Sequence, residues 1–316
     1  MNLEFARIAR LQRRFRQPHP DVVAIGDDAA VLPPSSEALV LTVDASVEGV
    51  HFRREWLSWR EVAMRAVHAA ASDVAAMGGD FASHSAGLLF ALELPTEGFS
   101  EGDFDELIEG LALAAESLNA QVLGGNLARA ASSHVSITTT ALGVVRGPKL
   151  LRSGAVPGDS LCVTGPVGAA AVGLRALIAQ REAEPAFARF VQAWRHPRAH
   201  LEAGSELTRI ATACIDVSDG LLQDASHLAL ASHVGLEITS SRIPMLEGQR
   251  SAALALAGDA LALALTGGED YVLLFTSKNP ENYCTIGRVT AGTGVRVDGV
   301  EIGTAAPSLG WDHFKT

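Results

Sequence analysis

Aspartates recur in this chain at the ends of apolar runs: Asp27 and Asp28 in IGDDAAVL, Asp44 in TVDASVEGV, Asp73 in HAAASDVAAMGG, and Asp216 and Asp219 in ACIDVSDGLLQD. Neither the stretch between Arg16 and Arg53 nor that between Arg209 and Arg242 contains a Lys or Arg to neutralise them locally. Two carboxylates held ~4 Å apart repel by ~4 kcal/mol at an effective dielectric of ~20. Converging carboxylates must therefore take up protons or bind a cation; otherwise they disperse into water, the simpler reading for Glu37 and Glu48. Oxygen ligands without a His/Cys cluster suit a hard cation, and Mg²⁺ is typically held by carboxylates together with substrate phosphates.

Each motif also has a local reading. IGDDA fits an Asx-turn, which explains one aspartate better than two adjacent ones. In ACIDVSDGLLQD, Asp216 is expected to end a strand and Ser218 or Asp219 to cap the following helix; alternation places Asp216 and Ser218 on one side of an extended chain. GGN (from Gly124) and GGEDY (from Gly267) read as tight glycine turns whose N–H groups can approach an oxyanion. His51 alone reads as a structural histidine. The chain lacks a phosphate-binding G-x-x-x-x-G-K-[ST] loop, a G-x-G-x-x-G fingerprint, H-E-x-x-H and G-x-S-x-G. Lys149, Lys278 and Lys315 are its only lysines. Phosphate charge, if bound, must be met by metal, arginine and backbone N–H.

The elements that must position these groups alternate strand and helix. LVLTV reads as a strand ending at Asp44. SWREVAMRAVHAAASDVAAMGG reads as a helix opened by a Ser58/Glu61 capping box and stopped by Gly78 and Gly79. A second helix starts at the Ser100 signal, QVL is a strand entering the Gly-Gly turn, and SITTTALGVV is a strand by its β-branched content. The N-terminal helix places Phe5, Ile8, Leu11 and Phe15 at helical spacing. The Pro/Gly-rich RGPKLLRSGAVPGDS marks a domain boundary near residue 150. Beyond it come a strand at LCVTG, a Gly/Ala-rich helix, the TACIDVSDG strand and turn, the LLQDASHLALAS helix, and a strand after GGEDY.

The 316 residues suit two domains at the soft prior of ~150 each. With 48% hydrophobic and 19% charged residues the chain is globular, and its apolar runs are too interrupted for a membrane span. A net charge of −11 argues against a nucleic-acid partner. Cys162, Cys214 and Cys284 are odd in number and widely spaced, so they are expected to be buried, reduced thiols. With no signal-peptide pattern, the expected location is cytoplasmic.

IGDDAAVL, TVDASVEGVHF, ASDVAAMGG, LRSGAVPGD, CIDVSDGLLQD, TGGEDYVLLF and GWDHF occur in the order and spacing of the bacterial thiamine-monophosphate kinases. The chain resembles that family, part of the superfamily of aminoimidazole ribonucleotide synthetase and selenophosphate synthetase, from about residue 4 to its C-terminus. The resemblance implies a two-domain α/β (α+β) fold. Residues 1–148 would form an N-terminal ATP- and magnesium-binding domain that pairs across a homodimer, and residues 149–316 a C-terminal α/β domain completing the active site. It implies ATP-dependent phosphorylation of thiamine monophosphate to thiamine diphosphate by direct in-line transfer, assisted by several Mg²⁺ ions. A phosphate acceptor is already ionised at neutral pH, so no residue is needed as general acid or base.

Carried over by position, Asp28, Asp44, Asp73, Asp216 and Asp219 match metal ligands, with Thr42 as a further oxygen ligand. Gly125, Asn126, Arg152 and Ser218 match ATP contacts, and His51, Glu269 and Trp311 match contacts to the thiamine substrate. Four positions depart from the family pattern. Asn126 and Leu127 replace an Asp-Thr pair, Val43 replaces a Thr, and Val272 replaces a Glu. Another acceptor within the superfamily, or a nucleotide-binding homologue without catalysis, are the alternatives; Asn126 favours the second.

Overall fold

The structure is a computed structural model that describes residues 3–15, 19–25, 29–302 and 310–311. Asp27 and Asp28 lie outside the described residues. The chain divides into two compact units, Met1–Val74 with Gly79–Arg146, and Ala75–Gly78 with Gly147–Thr316. Both mix helices with a sheet.

The first unit contains α1 (Leu3–Arg14), β1 (Ala38–Val47), α2 (Trp59–Ala76), β2 (Gly87–Leu94), α3 (Glu101–Ser117), β3 (Val122–Arg129) and β4 (Ser136–Val145). Its sheet runs β1-β4-β2-β3, with β4 antiparallel to β1 and β2, and β3 parallel to β2. Both expected N-terminal capping devices form. The Ser58 N–H donates to Glu61 Oε2 at 2.8 Å and the Glu61 N–H returns to Ser58 Oγ at 3.3 Å; Ser100 and Asp103 do the same for α3. The Ala-rich body of α2 buries Ala63, Val67, Ala70, Ala71 and Val74 completely. Against it the sheet presents Ala141 and Gly143, where a β-carbon on Gly143 would lie 2.5 Å from Val74 Cγ1. Small residues on both sides let the helix backbone come close to the sheet. A row of ion pairs fixes α1 on α3: Arg7 and Arg10 to Glu101, Arg10 to Asp105, and Arg14 to Glu109 and Glu116.

The second unit contains β5 (Ser160–Val163), α4 (Ala169–Ile178), α5 (Ala188–Arg195), α6 (Leu201–Leu207), β6 (Ala211–Asp216), α7 (Leu221–Ser232), β7 (Gly235–Ile238), α8 (Gln249–Ala255), α9 (Ala260–Thr266), β8 (Leu273–Ser277), β9 (Cys284–Thr290), β10 (Gly294–Val297) and β11 (Val300–Glu301). Its sheet runs β11-β10-β7-β9-β5-β8-β6, antiparallel except between β10 and β7. The larger core joins Val163, Ile215, Leu274 and Ile286 of the sheet to Leu221, Leu228 and Ala264 of α7 and α9. A smaller one gathers Cys162, Cys214 and Phe275 with Leu207 of α6.

Four local expectations need correction. Strand β1 runs through Asp44 to Val47, because its ladder with β4 continues to Ser136. Gly124, Gly125 and Asn126 lie inside edge strand β3 rather than in a turn; Gly125 is required there because a β-carbon would sit 1.9 Å from the Phe90 carbonyl oxygen. Cys284 is exposed, whereas Cys162 and Cys214 are buried thiols as expected. Glu37 and Glu48 do not disperse into water: Glu37 pairs with Arg146 at 2.9 Å and Glu48 with Arg54 at 3.2 Å. Those arginines are distant or adjacent in sequence but outside the carboxylate-rich window.

Candidate functional site

In the first unit, the residues of β1 opposite Ala141 and Thr139 are Thr42 and Asp44. Directly opposed residues share a face, so both lie on the side of the sheet that meets α2. The Thr42 hydroxyl donates to Asp73 Oδ2 at 2.6 Å. The odd charge of the Ala-rich helix is thus half-buried beside β1. This is the pairing that the sequence placed 31 residues apart.

His51 follows β1 in a tight turn, and its Nδ1 accepts the Val47 N–H at 3.1 Å. An accepting Nδ1 leaves the ring proton of the neutral imidazole on Nε2, which makes His51 a donor through that nitrogen. Asn126 is exposed on β3, at the opposite edge of the sheet from β1.

In the second unit, β6 delivers Asp216, 4% exposed, to the start of a loop formed by Ser218, Asp219 and Gly220. Neither Ser218 nor Asp219 caps α7 with its side chain, a correction to the expectation. Asp224, one turn into the helix, does the work from inside: its Oδ2 accepts the N–H groups of Ser218, Asp219 and Gly220 at 3.1, 3.2 and 3.1 Å. Burial, then the nearby charges of Asp216 and Asp219, push the Asp224 carboxyl up to about 8. Asp224 therefore keeps its proton at neutral pH while it lies close to the carboxyl groups of Asp216 and Asp219.

Gly310 and Trp311 lie against the same loop. The Trp311 N–H donates to the Asp219 carbonyl at 3.0 Å, and Gln223 Nε2 bridges Asp219 Oδ2 (3.0 Å) and the Trp311 carbonyl (2.9 Å). The Trp311 ring is half exposed.

The GGEDY turn packs on the loop's other side. The Glu269 N–H donates to the Ser218 carbonyl at 2.8 Å and the Tyr271 N–H to Val217 at 2.9 Å. A β-carbon on Gly268 would lie 2.2 Å from the Ser218 oxygen, so only glycine permits this approach. Glu269 and Tyr271 both take positive φ, +68° and +53°, at a cost of about 1 kcal/mol or more each. Asp270 turns to the N-terminus of α4, accepting from the N–H groups of Gly168 and Ala170. Burial pushes its carboxyl up to about 7. Glu269 turns instead to Trp194, whose indole N–H donates to Oε2 at 2.6 Å.

The structure thus brings Thr42 to Asp73 in one unit, and Asp216, Ser218, Asp219, Glu269 and Trp311 around one loop in the other. Arg152 lies beside β6 and α7: its carbonyl accepts from Ser232 Oγ at the C-terminal end of α7, and the adjacent Leu151 carbonyl accepts the Cys214 N–H of β6 at 2.8 Å, two residues before Asp216. Trp194, Gln223, Asp224 and Asp270 were not singled out from sequence. Only Asp224 carried a signal, as an acidic residue in a helix's first turn.

Among the described residues no three His, Cys, Asp or Glu side chains form a metal-holding group. The donors that do assemble are oxygens: Thr42 with Asp73, and the Asp216/Asp219 loop. Such a set fits Mg²⁺, which one or two carboxylates hold together with substrate phosphates, and not a soft metal that needs a full protein cage.

Residues 26–145 match the model for the AIR synthase related protein, N-terminal domain, and residues 156–300 that for the C-terminal domain. The thiamine-monophosphate kinase of Aquifex aeolicus (strain VF5) is 35% identical over 296 residues, 92% of each chain. A solved structure described as AaThiL complexed with AMPPCP and TMP superposes with a TM-score of 0.81 at 34% identity, covering 92% of each chain. Thiamine-monophosphate kinase from Stenotrophomonas maltophilia K279a gives 0.83 at 31% identity, covering 95% of this chain and 98% of its own.

Proposed function

The chain belongs to the AIR synthase related family, and from that premise we propose that it is a thiamine-monophosphate kinase, transferring the γ-phosphoryl group of ATP to thiamine monophosphate to give thiamine diphosphate and ADP. The observation that carries this reading is the likeness to a thiamine-monophosphate kinase across 92% of both chains. It is supported by the neighbour whose description includes both AMPPCP and TMP.

The chain's own residues supply positioning. Asp28, Asp44 and Asp73 with Thr42, and Asp216 with Asp219, are the oxygen donors for Mg²⁺. Mg²⁺ held there would supply neutralising charge to the phosphates of donor and acceptor during an in-line transfer. Asp224 holds the 218–220 backbone in place, so that Asp219 and Ser218 keep one orientation. Gly125, Asn126, Arg152 and Ser218 serve the nucleotide. His51, through its Nε2 proton, together with Glu269 and Trp311, serves the thiamine substrate. No side chain has to move a proton, because the attacking phosphate oxygen is already ionised.

Residues 1–148 then act as the nucleotide- and magnesium-binding half, and 149–316 contribute the Asp219 loop and the acceptor contacts. A homodimer through the first unit is favoured by Leu39, Leu41 and Val43, which project from β1 at 54%, 67% and 60% exposure. Light scattering of the purified chain tests it: a monomer mass contradicts the pairing. The proposed location is the cytoplasm; among the described residues no helix is long and apolar enough to cross a membrane. Product analysis after mixing the chain with ATP, Mg²⁺ and thiamine monophosphate tests the reaction.

A further inference from the structure

We infer that Trp194 is the positioning residue for the acceptor-binding carboxylate of Glu269, an inference that rests on the reading of Glu269 as a thiamine-phosphate contact. Helix α5 carries Trp194 into the interior, where it is 1% exposed. The helix is held tightly to α4, with Gly173 of α4 directly against the Phe190 carbonyl of α5. The indole is therefore fixed by its packing.

A buried indole N–H is a donor only and needs an acceptor. It finds Glu269 Oε2 at 2.6 Å, 75 residues away in sequence. That distance is short for N–H···O, so donor and acceptor are held closely together.

Glu269 is held at its other end as well. Its backbone stands at φ +68° and its N–H is tied to Ser218 in the aspartate loop. The adjacent Asp270 turns away to α4, so the two carboxylates of the turn have separate anchors. One fixed rotor therefore links the loop carrying Asp219 to the helix carrying Trp194.

A carboxylate has about four lone-pair sites, and one indole N–H uses one of them. An oriented Glu269 side chain is suited to an N–H donor or a ring cation, and the aminopyrimidine and thiazolium of a thiamine ester present both. Trp194 thus sets the affinity for the acceptor rather than for the nucleotide.

The test uses the full chain with Trp194→Phe, which keeps an aromatic ring but removes the donor, alongside Glu269→Ala, which removes the acceptor, and the double variant. Wild-type turnover is measured first, and its absence overturns the functional reading itself. With turnover present, Trp194→Phe is expected to raise KM for thiamine monophosphate about tenfold or more, with kcat and the KM for ATP within about twofold. In the Glu269→Ala background, where no side-chain acceptor remains for the indole N–H to orient, Trp194→Phe should add no further loss. An unchanged KM for thiamine monophosphate overturns the inference while leaving the kinase reading intact. So do additive losses in the double variant, or a parallel fall in kcat and in ATP affinity, which a merely structural role would produce.

Discussion

The hydroxyl of Thr42 on β1 donates to the carboxylate of Asp73 on α2 at 2.6 Å. A neutral donor orients the carboxylate without cancelling its charge. Thr42→Val removes that orientation while keeping the shape. The variant should need a several-fold higher Mg²⁺ concentration for half-maximal turnover and should lose about 1–2 kcal/mol of stability. Magnesium titration of the initial rate, with a urea denaturation curve, checks both.

Asp44→Asn and Asp219→Asn each remove a negative charge from a proposed metal ligand with little change in volume. Turnover should fall by about 100-fold or more in each, while unfolding free energy changes by less than about 1 kcal/mol. Wild-type rates in both variants at limiting Mg²⁺ would contradict the ligand assignment.

Asn126, matched by the sequence resemblance to an acidic position, stands on edge strand β3. Asn126→Asp should lower the Mg²⁺ concentration needed for activity, because a carboxylate adds the charge that the amide lacks. An unchanged magnesium dependence would mean that this strand does not coordinate metal in this chain.

Asp270 gives stability a particular pH dependence. Burial raises its carboxyl from 3.8 to about 7. Between those values the folded chain keeps a proton that the unfolded chain has released. The contribution is therefore full below about 3.8 and is lost as pH rises through about 7. In denaturation curves collected from pH 4 to 8, wild type should lose stability relative to Asp270→Asn as pH rises. Parallel pH profiles would contradict the raised value.

The ladder of elements was legible because local signals set it. The Ser58/Glu61 box and the Ser100 cap fixed two helix starts, β-branched SITTTALGVV became β4 residue for residue, and LLQDASHLALAS became α7. The Gly-Gly of GGN was misread as a turn because the reason for its glycine lies in the Phe90 carbonyl of a neighbouring strand. The helix cap at Asp219 was misassigned for a related reason. Asp224 satisfies three loop N–H groups at once, which a single cap at Asp219 or Ser218 could not do. The aspartates stood out because their clustering without local Lys or Arg is itself a linear signal. Trp194 could not, because one tryptophan in FVQAWRHP carries no sign of the glutamate it meets through tertiary packing.

The most direct test mixes the purified chain with ATP, Mg²⁺ and thiamine monophosphate and separates the products by chromatography over time. The account predicts thiamine diphosphate and ADP appearing in equal amounts, with none when Mg²⁺ is chelated. ATP binding without either product, or ADP formed without thiamine diphosphate, would contradict it.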